Sequence, residues 1–224
     1  SSWGALFPLL AVVCSQLVGV EQAGLFSMAF VIGMLLLFVA QYGVRTFQVS
    51  DLDELLSFSD YQAQRLLSCL AMLALGGMWC LFRGYGEPMF SLCTGVFVFR
   101  FADGMADVYE GRLQQKDKLY LAGISQALRC ILGGVIFSLT LLITRNLTWA
   151  SWAMGIIAML TLVAVTIPLA LLETEKSAPL TIQGVKKIFV QCWPLFLGLF
   201  LYNLIDSIPK FAMEGTLSYD NQLY

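Results

Sequence analysis

Seven long apolar runs constrain the fold of this 224-residue chain more than any other feature. An apolar run of about 18 residues or more is long enough to cross a bilayer as a helix. Hydrophobic residues make up 58% of the chain and charged residues 12%, against about 25% charged in a typical soluble domain. These values predict an all-α fold, a polytopic transmembrane helix bundle with spans at residues 3–19, 23–44, 66–82, 88–109, 119–144, 149–172 and 189–209.

The composition argues against several other classes of protein. The net charge is −2 and the basic residues are dispersed, which predicts no nucleic-acid partner. Histidine and CxxC pairs are both absent, so no standard zinc site can be assembled, and we expect no metal and no cofactor. The six cysteines lie within or beside apolar runs, which is typical of small packing residues.

The distribution of lysine and arginine predicts the orientation of the bundle. Cytoplasmic loops of membrane proteins are enriched in these residues. With the N-terminus in the cytoplasm, the outer loops hold two basic residues, Arg83 and Arg145, and the inner loops hold eight. We therefore expect a cytoplasmic N-terminus, with inner basic residues Arg45, Arg65, Arg112, Lys116, Lys118, Lys176, Lys186 and Lys187.

Four ionisable residues lie inside the fourth apolar run, in the segment FVFRFADGMADVYEGR. Arg100, Asp103, Asp107 and Glu110 are spaced by three, four and three residues, which places their side chains on one face of a helix. Charges at bilayer depth are costly and normally face a partner helix or a water-filled cavity. This charged stripe indicates a chain that moves a polar solute rather than a simple membrane anchor.

A further arginine, Arg129, is expected at a similar depth in the fifth run. With a rise of about 1.5 Å per residue, Arg100 lies about 18 Å and Arg129 about 15 Å from the starts of their runs, both near mid-depth. The short connection GRLQQKDK predicts that the two helices are antiparallel neighbours. Two buried arginines need a counter-ion. Asp103 would supply part of it, and an anionic ligand the rest.

A purely structural role for these charges stays open. Arg100 and Asp103 could form an internal ion pair, while Arg129 extends to the interface or binds a backbone carbonyl. In the seventh run, Asp206 and Lys210 are four residues apart and could form an interfacial pair. With Glu110, they are also the candidates for ion coupling or a gate.

Two polar segments divide the chain. RTFQVSDLDELLSFSDYQAQR, between the second and third runs, is predicted to hold a surface helix capped by Ser50, with Asp53 and Glu54 in its first turn. ETEKSAPLTIQGVKKIF follows the sixth run. We assign residues 1–172 to an N-terminal six-helix lobe, 173–188 to a cytoplasmic linker and 189–224 to the first helix of a second lobe. Because the chain begins inside an apolar run and ends in SYDNQLY, we expect it to lack both ends of a longer protein.

Four segments carry a family resemblance: VEQAGLFSMAF, QYGVRTFQVSD, VYEGRLQQKDKLYLAGISQALR and IPKFAMEGTLS. They resemble flippases for lipid-linked oligosaccharides, a family of the multidrug/oligosaccharidyl-lipid/polysaccharide superfamily. The resemblance runs from Gly19 to the end of the chain. It implies two six-helix lobes in the bacterial plasma (inner) membrane, with alternating access around a central cationic cavity. The implied substrate is an undecaprenyl-pyrophosphate-linked repeat unit of lipopolysaccharide or capsule.

The resemblance also implies roles for individual residues. Arg100 and Arg129 match the basic cavity positions in type and depth, and Arg45 matches a basic residue at the cytoplasmic end of the second helix. The pyrophosphate would pair with Arg100 and Arg129, because a guanidinium group can bind two oxygens at once. Asp103 and Asp107 would tune the local field, or bind H⁺ or Na⁺ if transport is coupled. Membrane lipid would hold the substrate's tail, and a polysaccharide polymerase is an expected partner.

Three other functions stay open. A multidrug exporter of the same superfamily would favour an acidic cavity for organic cations. A membrane-embedded polysaccharide-processing enzyme would need a base or a metal-binding acid cluster, and the closest such cluster is Asp51, Asp53 and Glu54 in one loop. A scaffold would not need buried charge. We therefore expect a transporter without catalytic residues rather than an enzyme.

Overall fold

The computed structural model describes residues 2–51 and 55–214, with side chains described for 6–51, 55–209 and 211–212. Asp53 and Glu54, predicted to lie in a surface helix, fall outside the described residues. Every regular element in the described part is helical, which confirms the predicted all-α fold. The elements are α1 (Ser2–Val18), α2 (Val20–Gln41), α3 (Val44–Ser50), α4 (Phe58–Phe82), α5 (Glu87–Gln115), α6 (Leu119–Thr144), α7 (Leu147–Thr161), a π-helical turn (Leu162–Thr166), α8 (Ile167–Glu173) and α9 (Ile182–Glu214).

Six helical stretches among the described residues are long and apolar enough to cross a membrane. They are Val20–Ser50, Phe58–Phe82, Glu87–Gln115, Leu119–Thr144, Leu147–Glu173 and Ile182–Pro209, and Leu6–Val18 is a shorter apolar helix. Large apolar side chains such as Phe82, Ile143 and Leu172 are about four-fifths exposed, on a surface that suits lipid tails better than water. The chain has the build of a polytopic helical membrane protein.

Helix α5 lies at the centre of the bundle, where it packs against α2, α3, α4, α6, α7 and α8. Small residues allow the closest of these contacts. A Cβ atom added to Gly155 of α7 would lie 2.9 Å from the carbonyl oxygen of Gly95 of α5. Because neighbouring helices surround α5, its charged stripe faces protein rather than lipid.

Helix α4 begins earlier than the sequence predicts. The Ser57 Oγ accepts a hydrogen bond from the Asp60 N–H, and the Asp60 carboxylate accepts one from the Ser57 N–H. This capping box starts α4 at Phe58 instead of residue 66 and places Arg65 inside the helix. The prediction that Ser50 caps a helix is wrong, because Ser50 is the last residue of α3 and donates to a carbonyl within it.

Helix α9 packs against α2 and α4 at a bend in the chain. Gly43, between α2 and α3, has a φ of +66°, and an added Cβ would lie 2.9 Å from the Leu195 Cγ of α9. The backbone angle and the close contact both favour glycine. The ring of the adjacent Tyr42 stacks on Phe196, with 4.5 Å between centroids. Since α9 begins at Ile182, it includes the second half of the predicted linker.

Candidate functional site

Arginines from three other helices surround the charged stripe of α5. They come from α3, α4 and α6, and their side chains contact the carboxylates of the stripe at 2.8–3.8 Å. The four arginines and three carboxylates are here called the charge cluster: Arg45, Arg65, Arg100, Arg129, Asp103, Asp107 and Glu110.

At one end of the cluster, Asp107 is bound by two guanidinium groups. Arg45 Nη1 lies 2.9 Å from its Oδ1, and Arg65 Nη2 lies 2.8 Å from its Oδ2. Arg65 is fully buried and also donates to the Ala40 carbonyl of α2. The Arg45 side chain is 31% exposed and also donates to Gln114. Asp107 therefore joins α3, α4 and α5 through charge-assisted hydrogen bonds.

In the middle of the cluster, Asp103 is shared between two arginines. Arg129 Nε lies 2.8 Å from its Oδ1, and Arg100 Nη1 lies 3.4 Å from its Oδ2. Asp103 thus supplies part of the counter-ion for both arginines, as the sequence predicts. Arg129 Nη2 also lies 2.9 Å from Glu110 Oε1, so Arg129 is held by carboxylates rather than by a carbonyl or the interface. The side chains of Arg100 and Arg129 are at most 1% exposed.

Glu110 also has an uncharged neighbour. Its Oε1 lies 3.5 Å from Ser125 Oγ of α6, which in turn lies 2.8 Å from Thr166 Oγ1. Thr166 is the last residue of the π-helical turn, and such turns are frequent at functional sites. Glu110, Ser125 and Thr166 are all buried. The hydroxyls of Ser125 and Thr166 thus connect the charge cluster to the π-helical turn.

Arg100 contacts an aromatic ring, Phe30, that also lines a cavity of about 400 Å³ between α1, α2 and α9. The Arg100 guanidinium carbon lies 4.1 Å from the centre of the Phe30 ring, and Phe30 lines the cavity. Asp206 and Asn203 of α9 line it as well. Asp206 therefore faces this cavity and not the charge cluster. The side chain of Lys210 lies outside the described part of the chain.

The structure brings six of the eight predicted site residues together and places Asp206 at the cavity beside α9. The side chain of the eighth, Lys210, is not among the described ones. Arg65 is the charged residue that sequence reasoning missed, because it was counted with the cytoplasmic loops. The signal that could have found it is the motif Ser57-x-x-Asp60, which starts a helix two turns before Arg65. Ser125 carries no charge and gave no sequence signal.

These features define the class: a helical membrane protein with a buried charge cluster at the centre of its bundle. Comparisons of the chain with protein-family models, with curated proteins and with solved structures give no match. Any function assigned to this chain therefore rests on the chemistry of the charge cluster and on its place in the bundle.

Proposed function

We propose that this chain forms part of a flippase for lipid-linked oligosaccharides. It would move undecaprenyl-pyrophosphate-linked repeat units across the bacterial plasma membrane by alternating access. The sequence segments quoted above support the family. The observation that carries the proposal is the environment of Arg129. Its guanidinium group is buried between Asp103 and Glu110, and its Nη1 makes no hydrogen bond to any described residue.

An unsatisfied donor on a buried arginine suits an anionic ligand. Leaving such a group without a partner is costly, so a phosphate oxygen at Nη1 would be favoured. The charge cluster holds four positive and three negative groups, an excess of one positive charge. That excess favours a pyrophosphate over the organic cations that a multidrug exporter would carry. The lipid tail would stay in the bilayer while the polar head crosses.

The cavity beside α9 supplies a route to the cluster in this proposal. Residues 1–172 would form one lobe and α9 would belong to the other, so the α1/α2/α9 cavity would lie between the lobes. A movement of α9 away from α2 would widen this cavity, and rotation of the Phe30 ring would expose Arg100 behind it. Binding sites between half-bundles near mid-depth are typical of transporters with repeated lobes.

The test is transport by variants of the complete protein in proteoliposomes that contain a fluorescent lipid-linked oligosaccharide diphosphate. Arg129→Ala and Arg100→Ala should each abolish flipping, measured per folded protein. The Lys variants should recover part of it, because lysine restores the charge but not the two-donor fork. Arg83→Ala, which changes an exposed arginine, is the matched control and should transport normally.

Two outcomes would contradict the proposal. Normal flipping by both Ala variants at normal abundance would show that the buried arginines do not bind the headgroup. A parallel loss of abundance and transport would show that the charge cluster only holds the helices together.

A further inference from the structure

We infer that Glu110 is the proton-binding residue of the charge cluster, and that it competes with the anionic headgroup for Arg129. Protonation of Glu110 would release one edge of the Arg129 guanidinium group for phosphate. This inference rests on the proposed function, because it takes Arg129 as the headgroup site.

The three carboxylates of the cluster differ in how they are held. Asp103 and Asp107 each have both oxygens within 3.4 Å of arginine nitrogens, and each is shared by two guanidinium groups. Glu110 has a single close arginine contact, to Arg129 at 2.9 Å, while Arg45 Nη1 lies 3.8 Å from its second oxygen. Neutralising Glu110 therefore breaks one ion pair shorter than 3.5 Å, whereas neutralising either aspartate breaks two.

Glu110 also has a hydroxyl group beside it, that of Ser125, which can form a hydrogen bond with Glu110 after the ion pair is lost. A protonated carboxyl group is a hydrogen-bond donor. The Glu110 O–H can donate to Ser125 Oγ, and the Ser125 hydroxyl can donate to Thr166 Oγ1, which lies 2.8 Å away. The proton added to Glu110 would then be satisfied inside the bundle without any charged partner.

The guanidinium group of Arg129 couples proton binding at Glu110 to anion binding, because its three nitrogens differ in their partners. Asp103 binds Nε of Arg129 and Glu110 binds Nη2, while Nη1 makes no hydrogen bond to a described residue. Once Glu110 is neutral, Nη1 and Nη2 are both available and form the planar two-donor fork that suits a phosphate. The charge cluster changes at the same time from an excess of one positive charge to two.

The groups facing Glu110 come from four elements. They include charges on α3, α5 and α6 and hydroxyls on α6 and the π-helical turn: Arg45, Asp107, Asp103, Arg129, Ser125 and Thr166. Among these, only the contact with Arg129 is both charged and shorter than 3 Å. A proton taken up by Glu110 would be released again when the headgroup leaves and Arg129 re-forms the ion pair.

The experiment measures binding of inorganic pyrophosphate to the complete protein in lipid nanodiscs by calorimetry at pH 5.5 and pH 8. Two buffers with different ionisation enthalpies give the protons taken up per ligand bound. At pH 8, Glu110→Gln should bind about tenfold more tightly than the natural protein, within the usual range of coupling between sites. At pH 5.5 the two affinities should converge, because Glu110 is then protonated before the ligand binds. At pH 8 the variant should take up fewer protons per ligand bound than the natural protein. Because pyrophosphate titrates equally in both samples, the difference between proteins reports on Glu110.

Control variants separate this inference from the proposed function. Glu173→Gln removes a carboxylate that pairs with Lys118 at the surface, and it should match the natural protein at both pH values. If Arg129→Ala binds pyrophosphate normally, the headgroup site itself is wrong. If Arg129→Ala loses binding but Glu110→Gln matches the natural protein at pH 8, only the role of Glu110 is wrong.

If Glu110→Gln does not fold, a second variant, Ser125→Ala, tests the same inference. Ser125→Ala removes the hydroxyl oxygen that would accept a hydrogen bond from protonated Glu110, so binding should tighten only at a lower pH than in the natural protein. An unchanged pH profile for Ser125→Ala would overturn the inference.

Discussion

The most direct test of the charge cluster is Asp103→Asn, which removes the charge that Arg100 and Arg129 share. The amide keeps nearly the same size and can still accept a hydrogen bond, so the change is mainly electrostatic. Both arginines remain buried, at most 1% exposed, and both lose the carboxylate that they share. We expect a large loss of stability with little change in shape.

The contact distances determine how much stability Asp103→Asn should remove. At an effective dielectric constant of about 20, ion pairs at 2.8 Å and 3.4 Å correspond to roughly 6 and 5 kcal/mol of attraction. Desolvation of the three groups offsets most of that attraction, and breaking a buried pair typically costs about 3–5 kcal/mol. For a chain of this size, each kcal/mol moves the melting temperature by roughly 2–4 °C, which gives a decrease of about 10 °C.

The assay is thermal unfolding of the purified protein in detergent, followed by fluorescence-detected size exclusion. Glu173→Gln is the matched control, because it breaks a 2.7 Å ion pair with Lys118 whose side chains are 34% and 41% exposed. Such surface pairs contribute about 0–1 kcal/mol, so the control should melt within a few degrees of the natural protein. A melting temperature for Asp103→Asn equal to that of the control would refute the electrostatic account of the cluster.

Three further predictions concern orientation and packing. In a cysteine-free background, an impermeant thiol reagent applied from outside should label a cysteine at Gly84 but not at Lys186; equal labelling would contradict the cytoplasmic N-terminus. Gly155→Ala should cost about 1–3 kcal/mol, because its Cβ meets backbone in α5, whereas Gly123→Ala, with no atom within 4 Å, should melt at or above the natural temperature. Asp60→Ala should speed proteolysis of the segment 174–181, because Asp60 accepts hydrogen bonds from the N–H and hydroxyl of Thr181. An unchanged cleavage rate would show that these hydrogen bonds do not hold the segment in place.

The sequence alone determined the class of fold. Runs of apolar residues long enough to span a bilayer leave few alternatives, because a backbone in lipid must satisfy its hydrogen bonds within a helix. The sequence also determined which residues of the fourth run share a face, since Arg100, Asp103, Asp107 and Glu110 follow the helical repeat. The start of α4 is also encoded locally, by the capping motif of Ser57 and Asp60.

Tertiary structure alone decided which charges meet. The spacing of α5 predicted a stripe, but the partners of that stripe are Arg45, Arg65 and Arg129, which are 19 to 65 residues away from the carboxylates they contact. Their approach depends on helix packing around α5 and on close contacts such as that between Gly95 and Gly155. Sequence periodicity is a property of one helix, whereas an ion pair between helices depends on their relative rotation and height. For that physical reason, only the packed bundle shows that Arg65 and Ser125 belong to the site.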